Sequence, residues 1–242
     1  MKDITISRRS LLVSAGLLAL APLAGCGGNS GSGSAAAGSD YTIGVLQLTE
    51  HSALDAANDG FVKAIKESGL KVKIDQKNAQ NDQSTCKSIA DKFVGDNVNL
   101  IYAIATPAAQ AAAGATADIP IVGCAITDYA ASGLVQDNDK PGTNVTGTTD
   151  MNPIDKQLDL LLKIVPKART IGILYNSSEI NSQIQVKKMK ELAEAKGLTV
   201  REATVSSVND IQQAAQSLVG KADALYVPTD NVLASAMPNL IK

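Results

Sequence analysis

The chain has few of the residues that build metal and redox centres. Its 242 residues include three Cys, one His and no Trp, and no CxxC pair occurs. A Cys and His zinc site needs four ligands brought together, so this supply nearly excludes one. We therefore expect neither a metal nor a cofactor.

The chain also lacks the marks of a nucleic-acid or nucleotide binder. It has 22 Lys and Arg against 24 Asp and Glu, only 3% aromatic residues, and no basic cluster that alternates with aromatics. The folded part contains none of the patterns GxGxxG, GxxxxGK[ST] or GxSxG. We therefore set nucleic acid aside as a partner, and nucleotide binding and hydrolase chemistry lack their usual support.

The N-terminus carries an export signal. A basic stretch with Arg8 and Arg9 precedes a mainly apolar run over residues 11–20, which is shorter than the roughly 20 residues of a membrane-spanning helix. Residues 1–25 are therefore predicted to be a secretory signal peptide. The paired arginines leave both the general secretory and the twin-arginine route open.

The signal ends in the sequence LAGC at residues 23–26, which resembles the bacterial lipobox. In a lipobox the Cys is alkylated with diacylglycerol and becomes the first residue of the mature chain. We therefore predict lipidation of Cys26 and an extracytoplasmic position, anchored to the cell membrane by lipid. Residues 26–39 are rich in Gly and Ser and are predicted to be a flexible tether.

The rest of the chain predicts an α/β fold of two lobes with parallel sheets. Apolar runs alternate with amphipathic segments without tight hairpins, as parallel strands require. We expect a first lobe with four strands at residues 40–147. Residues 148–242 are expected to form the crossover and a partial second lobe with three strands, truncated at its C-terminus.

The two lobes are joined by residues 144–153, NVTGTTDMNP. The alternation of apolar runs and amphipathic segments stops before this segment and resumes after it. Small β-branched and polar residues allow this segment to run extended, and Pro153 suits the first turn of the next helix. A ligand held by both lobes would lie beside this crossover.

Polar residues follow almost every predicted strand. In open α/β sheets ligands bind at the carboxyl ends of the strands, so these residues are candidates for a pocket, although each could equally be a helix cap. We expect Thr106, at a helix start, to hold a ligand carboxylate, and Asp128 or Asp230 to pair with an ammonium. A pairing of Cys86 with Cys124 in a disulfide stays open, as does the reading of both as free thiols.

Five motifs in chain order resemble the tryptophan/tyrosine-type family of ABC-transporter substrate-binding proteins. They are ATPAAQA at residues 105–111, AITD at 125–128, NVTGTTD at 144–150, LYNSSE at 174–179 and VPTDN at 227–231. The resemblance implies two Rossmann-like lobes, of the type I periplasmic-binding-protein kind, that close on a small ligand. It also implies an ABC permease with its ATPase as partners.

The resemblance assigns ligand contacts to the loops that face the cleft. The residues concerned are Thr106, Gln110, Thr127, Asp128, Asn176, Ser177, Glu179, Asp230 and Asn231. The function implied is a lipid-anchored solute-binding protein for an amino acid, perhaps aromatic, with no enzymatic reaction. Two alternatives stay open: a cofactor-free amino-acid racemase, which would need two Cys from opposite lobes, and a module that presents its ligand to a membrane receptor.

Overall fold

A computed structural model describes residues 40–237 of the chain. The predicted signal peptide, the lipidation site Cys26 and the tether lie outside the described residues. Within residues 40–237, no helix is both long and apolar enough to cross a bilayer.

The first lobe is built on a sheet of five parallel strands in the order β2-β1-β3-β4-β5. The strands are β1 (Tyr41–Gln47), β2 (Val72–Asn78), β3 (Leu100–Ile104), β4 (Ile121–Ile126) and β5 (Val145–Thr149), and the helices are α1 (Ser52–Glu67), α2 (Gln83–Gly95) and α3 (Thr106–Ala115). Because β1 and β3 are central strands covered on both faces, their apolar residues after the first positions are buried.

Strand β5 corrects the prediction of four strands in this lobe. Val145 pairs with Ile121 and Thr146 with Val122 on β4, so most of the predicted crossover belongs to the sheet. Only residues 150–153 connect β5 to the next helix. After Val145 the side chains of this edge strand are exposed, which explains why the sequence shows no apolar run there.

Tyr129 fastens this edge strand to β4. Its buried hydroxyl lies 2.9 Å from the carbonyl oxygen of Gly123 and 3.1 Å from that of Thr148, and it donates to them. Gly147 passes so close to β4 that a Cβ there would collide with the Gly123 carbonyl and the Tyr129 hydroxyl. The position of the segment that leaves β5 is therefore determined by close packing against β4.

The second lobe has, within the described residues, three parallel strands in the order β7-β6-β8, as predicted. The strands are β6 (Thr170–Asn176), β7 (Thr199–Val205) and β8 (Ala224–Tyr226), and the helices are α4 (Ile154–Ile164), α5 (Ile180–Ala195), α6 (Ile211–Leu218) and α7 (Asn231–Ser235). A 3-10 turn at Val208–Asp210 precedes α6, and Asp210 and Ser207 form a capping box there.

Hydrophobic cores lie on both faces of the second sheet. Leu158 and Met189 bury α4 and α5 against one face, and Ile211 and Leu233 bury α6 and α7 against the other. The predicted α/β architecture with parallel sheets is confirmed. Since helices cover the faces, the loops at the carboxyl ends of the strands are left to form a site.

Candidate ligand-binding cleft

A cavity of about 570 Å³ lies where the carboxyl ends of the two sheets meet. The loops after β1, β4 and β5 line it from the first lobe, and the loop after β8 and the start of α5 line it from the second. This volume is typical of sites that enclose a small molecule.

Two buried acceptor atoms on residues that line this cavity have no hydrogen-bond partner among the described residues. They are Oδ1 of Asp150, at the start of the connection after β5, and Oδ1 of Asn181, in the first turn of α5. The Asn181 nitrogen donates to Glu179 Oε2 at 2.9 Å and to the Thr229 carbonyl at 3.0 Å, so the amide orientation is determined. A buried acceptor without a donor costs about 1–3 kcal/mol, so a donor on a bound molecule would stabilise both oxygens.

The charge of the cavity wall is mainly negative. Asp150, Asp230 and His51 are the titratable groups of the wall apart from the thiol of Cys124, and no Lys or Arg of the described part of the chain lines it. Burial raises the pKa of Asp150, although a hydrogen bond from Thr127 partly opposes this. A cationic group beside Asp150 would therefore be favoured.

Asp230 lines the cavity, but protein donors occupy its carboxylate. Oδ2 accepts from the backbone N–H of Asn176 at 2.6 Å and from the Ser182 hydroxyl at 2.7 Å, and Oδ1 caps α7 through the N–H of Leu233 at 3.0 Å. Asp230 therefore ties β6, α5 and α7 together.

Glu179 lies behind the cavity wall, 2% exposed, and accepts hydrogen bonds from three amide side chains and two backbone groups. The side-chain donors are Nδ2 of Asn176 at 3.3 Å, of Asn181 at 2.9 Å and of Asn231. The backbone donors are the N–H groups of Asn231 at 3.2 Å and Val232 at 3.3 Å. Glu179 is thus saturated by protein donors.

The first turn of α1 forms another part of the wall. Ser52, Ala53 and Leu54 line the cavity, and no side chain in the described residues caps this helix at His51. The first N–H groups of a helix lack partners within the helix and carry the positive end of its dipole. This turn is the part of the wall best suited to an anionic group.

Hydrogen bonds join the two lobes around the cavity. Nε2 of His51 lies 3.4 Å from Oδ1 of Asn231, and Nε2 of Gln185 lies 3.5 Å from Oγ1 of Thr127. Because the Asn231 nitrogen donates to Glu179, it is the Asn231 oxygen that faces the His51 ring. The lobes are therefore in direct contact across the cleft.

Of the residues predicted to contact a ligand, the structure brings Thr127, Asp230 and Asn231 to the cavity wall. Thr106 is buried at the start of α3 outside this wall, and its hydroxyl has no partner within the described residues. Gln110 donates to the Ser132 carbonyl at 2.9 Å and is likewise outside the wall.

The other predicted residues lie behind the cavity or beside it. Asp128 caps a turn by accepting from the Ala131 N–H at 2.9 Å, and it lines a separate recess of about 280 Å³. Ser177 is exposed, while Asn176 and Glu179 belong to the hydrogen-bonded cluster behind the wall.

Sequence reasoning missed Asp150 and, in its final choice, Asn181. Asp150 stands at the end of a strand that was interpreted as a crossover, so the strand-end rule was not applied to it. Asn181 is a polar residue in the loop-to-helix segment after β6, but the sequence gives no sign that its oxygen would lack a partner.

Neither of the two described cysteines forms a disulfide. Cys86 is buried in the core of the first lobe, where burial raises its pKa to about 11, and Cys124 is a free thiol in the cavity wall. The open question of a disulfide is thereby answered for the described residues. Both cysteines belong to the first lobe, which does not supply the opposed pair that a racemase would use.

The family model described as ABC transporter substrate binding protein matches residues 42–242. The chain belongs to this family. A "Tyrosine-binding protein" of Clostridioides difficile is 47% identical over 241 residues, which cover 96% of this substrate-binding protein and 70% of that relative. The fold is that of the type I periplasmic-binding proteins.

Two solved structures are also close in sequence. One is an ABC domain from Streptococcus pneumonia in complex with L-Trp, with TM-score 0.80 at 42% identity, covering 84% of this substrate-binding protein and 70% of that chain. The other is the ligand-free, open structure of a substrate-binding protein with adhesive properties from Clostridium difficile. Its TM-score is 0.58 at 52% identity, with 83% of this chain and 69% of that chain covered. The more identical structure is thus the less similar in shape.

Proposed function

We propose that this substrate-binding protein captures a free amino acid with an aromatic side chain and presents it to an ABC permease. One observation carries the proposal: Oδ1 of Asp150 and Oδ1 of Asn181, on residues that line one cavity, have no partner among the described residues. An ammonium group carries three donors and a positive charge, so it satisfies both oxygens at once.

The electrostatics of Asp150 support an ammonium rather than a hydroxyl as the donor. Burial disfavours the charged carboxylate and raises its pKa. A cation in contact favours the charged form again and so opposes the rise in this pKa. A neutral hydroxyl group would not provide this compensation.

The carboxylate of the same ligand fits the first turn of α1. The wall has no Lys or Arg within the described residues, so the N–H groups of Ser52, Ala53 and Leu54 are the strongest site for a negative group. The sequence predicted that Thr106 holds the ligand carboxylate, but Thr106 is buried outside the cavity wall. The first turn of α1 therefore replaces it in this proposal. A carboxylate and a helix N-terminus in the wall of one cavity suit the two charges of a zwitterion.

The apolar part of the wall suits a flat side chain. Val227, Pro228, Ala234 and Met237 belong to this part, and a methionine thioether packs well on aromatic rings. The names of the relatives support the same ligand class, since one is called tyrosine-binding and another was solved with L-Trp.

Lipidation of Cys26 would hold the protein at the outer face of the cell membrane, where an importer collects its substrate. The contact of His51 with Asn231 between the lobes, and the greater similarity to the L-Trp complex than to the open structure, support a closed arrangement around the ligand. The permease and its ATPase are the partners proposed for the loaded form.

Titration calorimetry with L-tyrosine and L-tryptophan tests the proposal, with the desamino acid and the decarboxylated amine of each as matched ligands. We expect saturable binding of the amino acids and weaker binding of both analogues, because each analogue lacks one of the two charges. If neither amino acid binds, or if the desamino acids bind as tightly as the amino acids, the proposal fails.

A further inference from the structure

Glu179, Asn181 and Asn231 form a hydrogen-bonded cluster at the cavity wall. Glu179 accepts from the side-chain nitrogens of both Asn181 and Asn231, and each of these residues lines the cavity. Asn181 turns an unpartnered oxygen away from Glu179, and Asn231 turns its oxygen to His51 of the other lobe at 3.4 Å.

We infer that Glu179 is a positioning residue that sets the amide orientation of Asn181 and Asn231, so that both present oxygen, not nitrogen, to the cleft. The inference rests on the proposed function, because the orientation matters only if the ligand brings a donor. It differs from the expectation that Glu179 contacts the ligand itself, since Glu179 does not line the cavity.

The physical basis is that an Asn amide group has two possible orientations. An Asn side chain has nearly the same shape with its oxygen and nitrogen exchanged, so only its neighbours decide which atom points to the ligand. A carboxylate accepts hydrogen bonds only, and it therefore forces nitrogen to its own side. Rotation of Asn181 would place its NH₂ group against a ligand ammonium, which is repulsive.

A neutral Gln at position 179 would fix the orientation of the two Asn amides less firmly than Glu179 does. Oε2 of Glu179 accepts from both Asn181 and Asn231, and Oε1 accepts from Asn176 and the N–H of Val232. Gln at position 179 has one oxygen and one NH₂ group, so its NH₂ group would face donors on one of these two sides. Burial and then the nearby Asp230 raise the pKa of Glu179, and the amide donors of Asn181 and Asn231 oppose that rise.

Calorimetry on the Glu179→Gln variant, with L-tyrosine and its desamino acid as probes, tests the inference. We expect tyrosine to bind about 10-fold to 100-fold more weakly, as for loss of hydrogen bonds to a charged group, and the desamino acid to change by less than about threefold. A purely structural role would weaken both ligands equally, and that result would overturn the inference.

A matched control is Glu202→Gln, which removes a charge from a partly exposed carboxylate on β7 that bonds Tyr175 and Lys190. It should leave both affinities unchanged. In a double-mutant cycle, Glu179→Gln should cost less in an Asn181→Ala background than in the wild type, and equal costs in the two backgrounds would contradict action through Asn181.

If Glu179→Gln does not fold, Glu179→Asp keeps the charge while drawing it back from both amides, and the same selective loss for tyrosine is expected. Wild-type affinity in a folded variant overturns this inference alone. Failure of the wild type to bind any amino acid overturns the proposed function, and with it this inference, so the two failures are distinguishable.

Discussion

Replacing Asp150 by Asn removes the charge proposed to pair with the ligand ammonium and keeps the shape of the side chain. Asp150 lines the cavity, and its Oδ1 has no partner among the described residues. Asn at this position retains an acceptor oxygen, so the expected loss is electrostatic and not steric.

The magnitude follows from the surroundings of the carboxylate. Removing one partner of a buried charge pair costs about 2–5 kcal/mol, and because Asp150 is only partly buried, the lower half of this range applies. A loss of about 2–3 kcal/mol corresponds to a roughly 30-fold to 150-fold weaker affinity for tyrosine. The desamino acid, which has no ammonium, should bind the variant at least as well as it binds the wild type.

Titration calorimetry with both ligands measures this difference, and Asp128→Asn is the matched control. Asp128 caps a turn outside the cavity, so its variant should keep wild-type affinity for tyrosine. If Asp150→Asn binds tyrosine as tightly as the wild type does, Asp150 is not the partner of the ammonium and the reasoning is refuted.

Four further predictions concern stability, reactivity and location. The unfolding free energy of ligand-free wild type should rise relative to Asp150→Asn as the pH falls through the raised pKa of Asp150, because the folded wild type then binds more protons than the unfolded chain; a constant difference in denaturant titrations would contradict this. Tyr129→Phe should lower the unfolding free energy by about 1–2 kcal/mol, since two backbone carbonyls lose their donor, and an unchanged denaturation midpoint would refute it. Tyrosine should slow the alkylation of Cys124 as followed by mass spectrometry, while the buried Cys86 should remain unmodified with or without ligand; equal rates for Cys124 would place the ligand elsewhere. Cys26→Ser should release the protein from membranes in fractionation, and continued membrane partition would exclude lipidation as the anchor.

The fold was predictable where burial leaves a pattern in the sequence. The apolar run at residues 100–105 predicts a central strand, and β3 is buried between β1 and β4. Strand β5 was not predicted as a strand because an edge strand needs neither an apolar run nor alternation. Its position depends on the contacts of Tyr129 and Gly147 with β4, and no local sequence pattern reveals these contacts.

The site was predictable as a region but not as a set of contacts. The rule that polar residues at strand ends face a ligand selected Thr127, Asp230 and Asn231, and these three residues line the cavity. It could not separate Asp230, whose oxygens are used by the protein, from Asp150, whose Oδ1 is left without a partner in the described residues. That distinction arises from hydrogen bonds between segments far apart in the chain.

A crystal structure of the protein with bound L-tyrosine tests the central claim most directly, because it locates the amino nitrogen of the ligand. We expect this nitrogen within about 2.7–3.2 Å of both Asp150 Oδ1 and Asn181 Oδ1, with the ligand carboxylate at the first turn of α1. A ligand whose amino group instead contacts Asp128, or whose carboxylate is held at Thr106, would contradict the account.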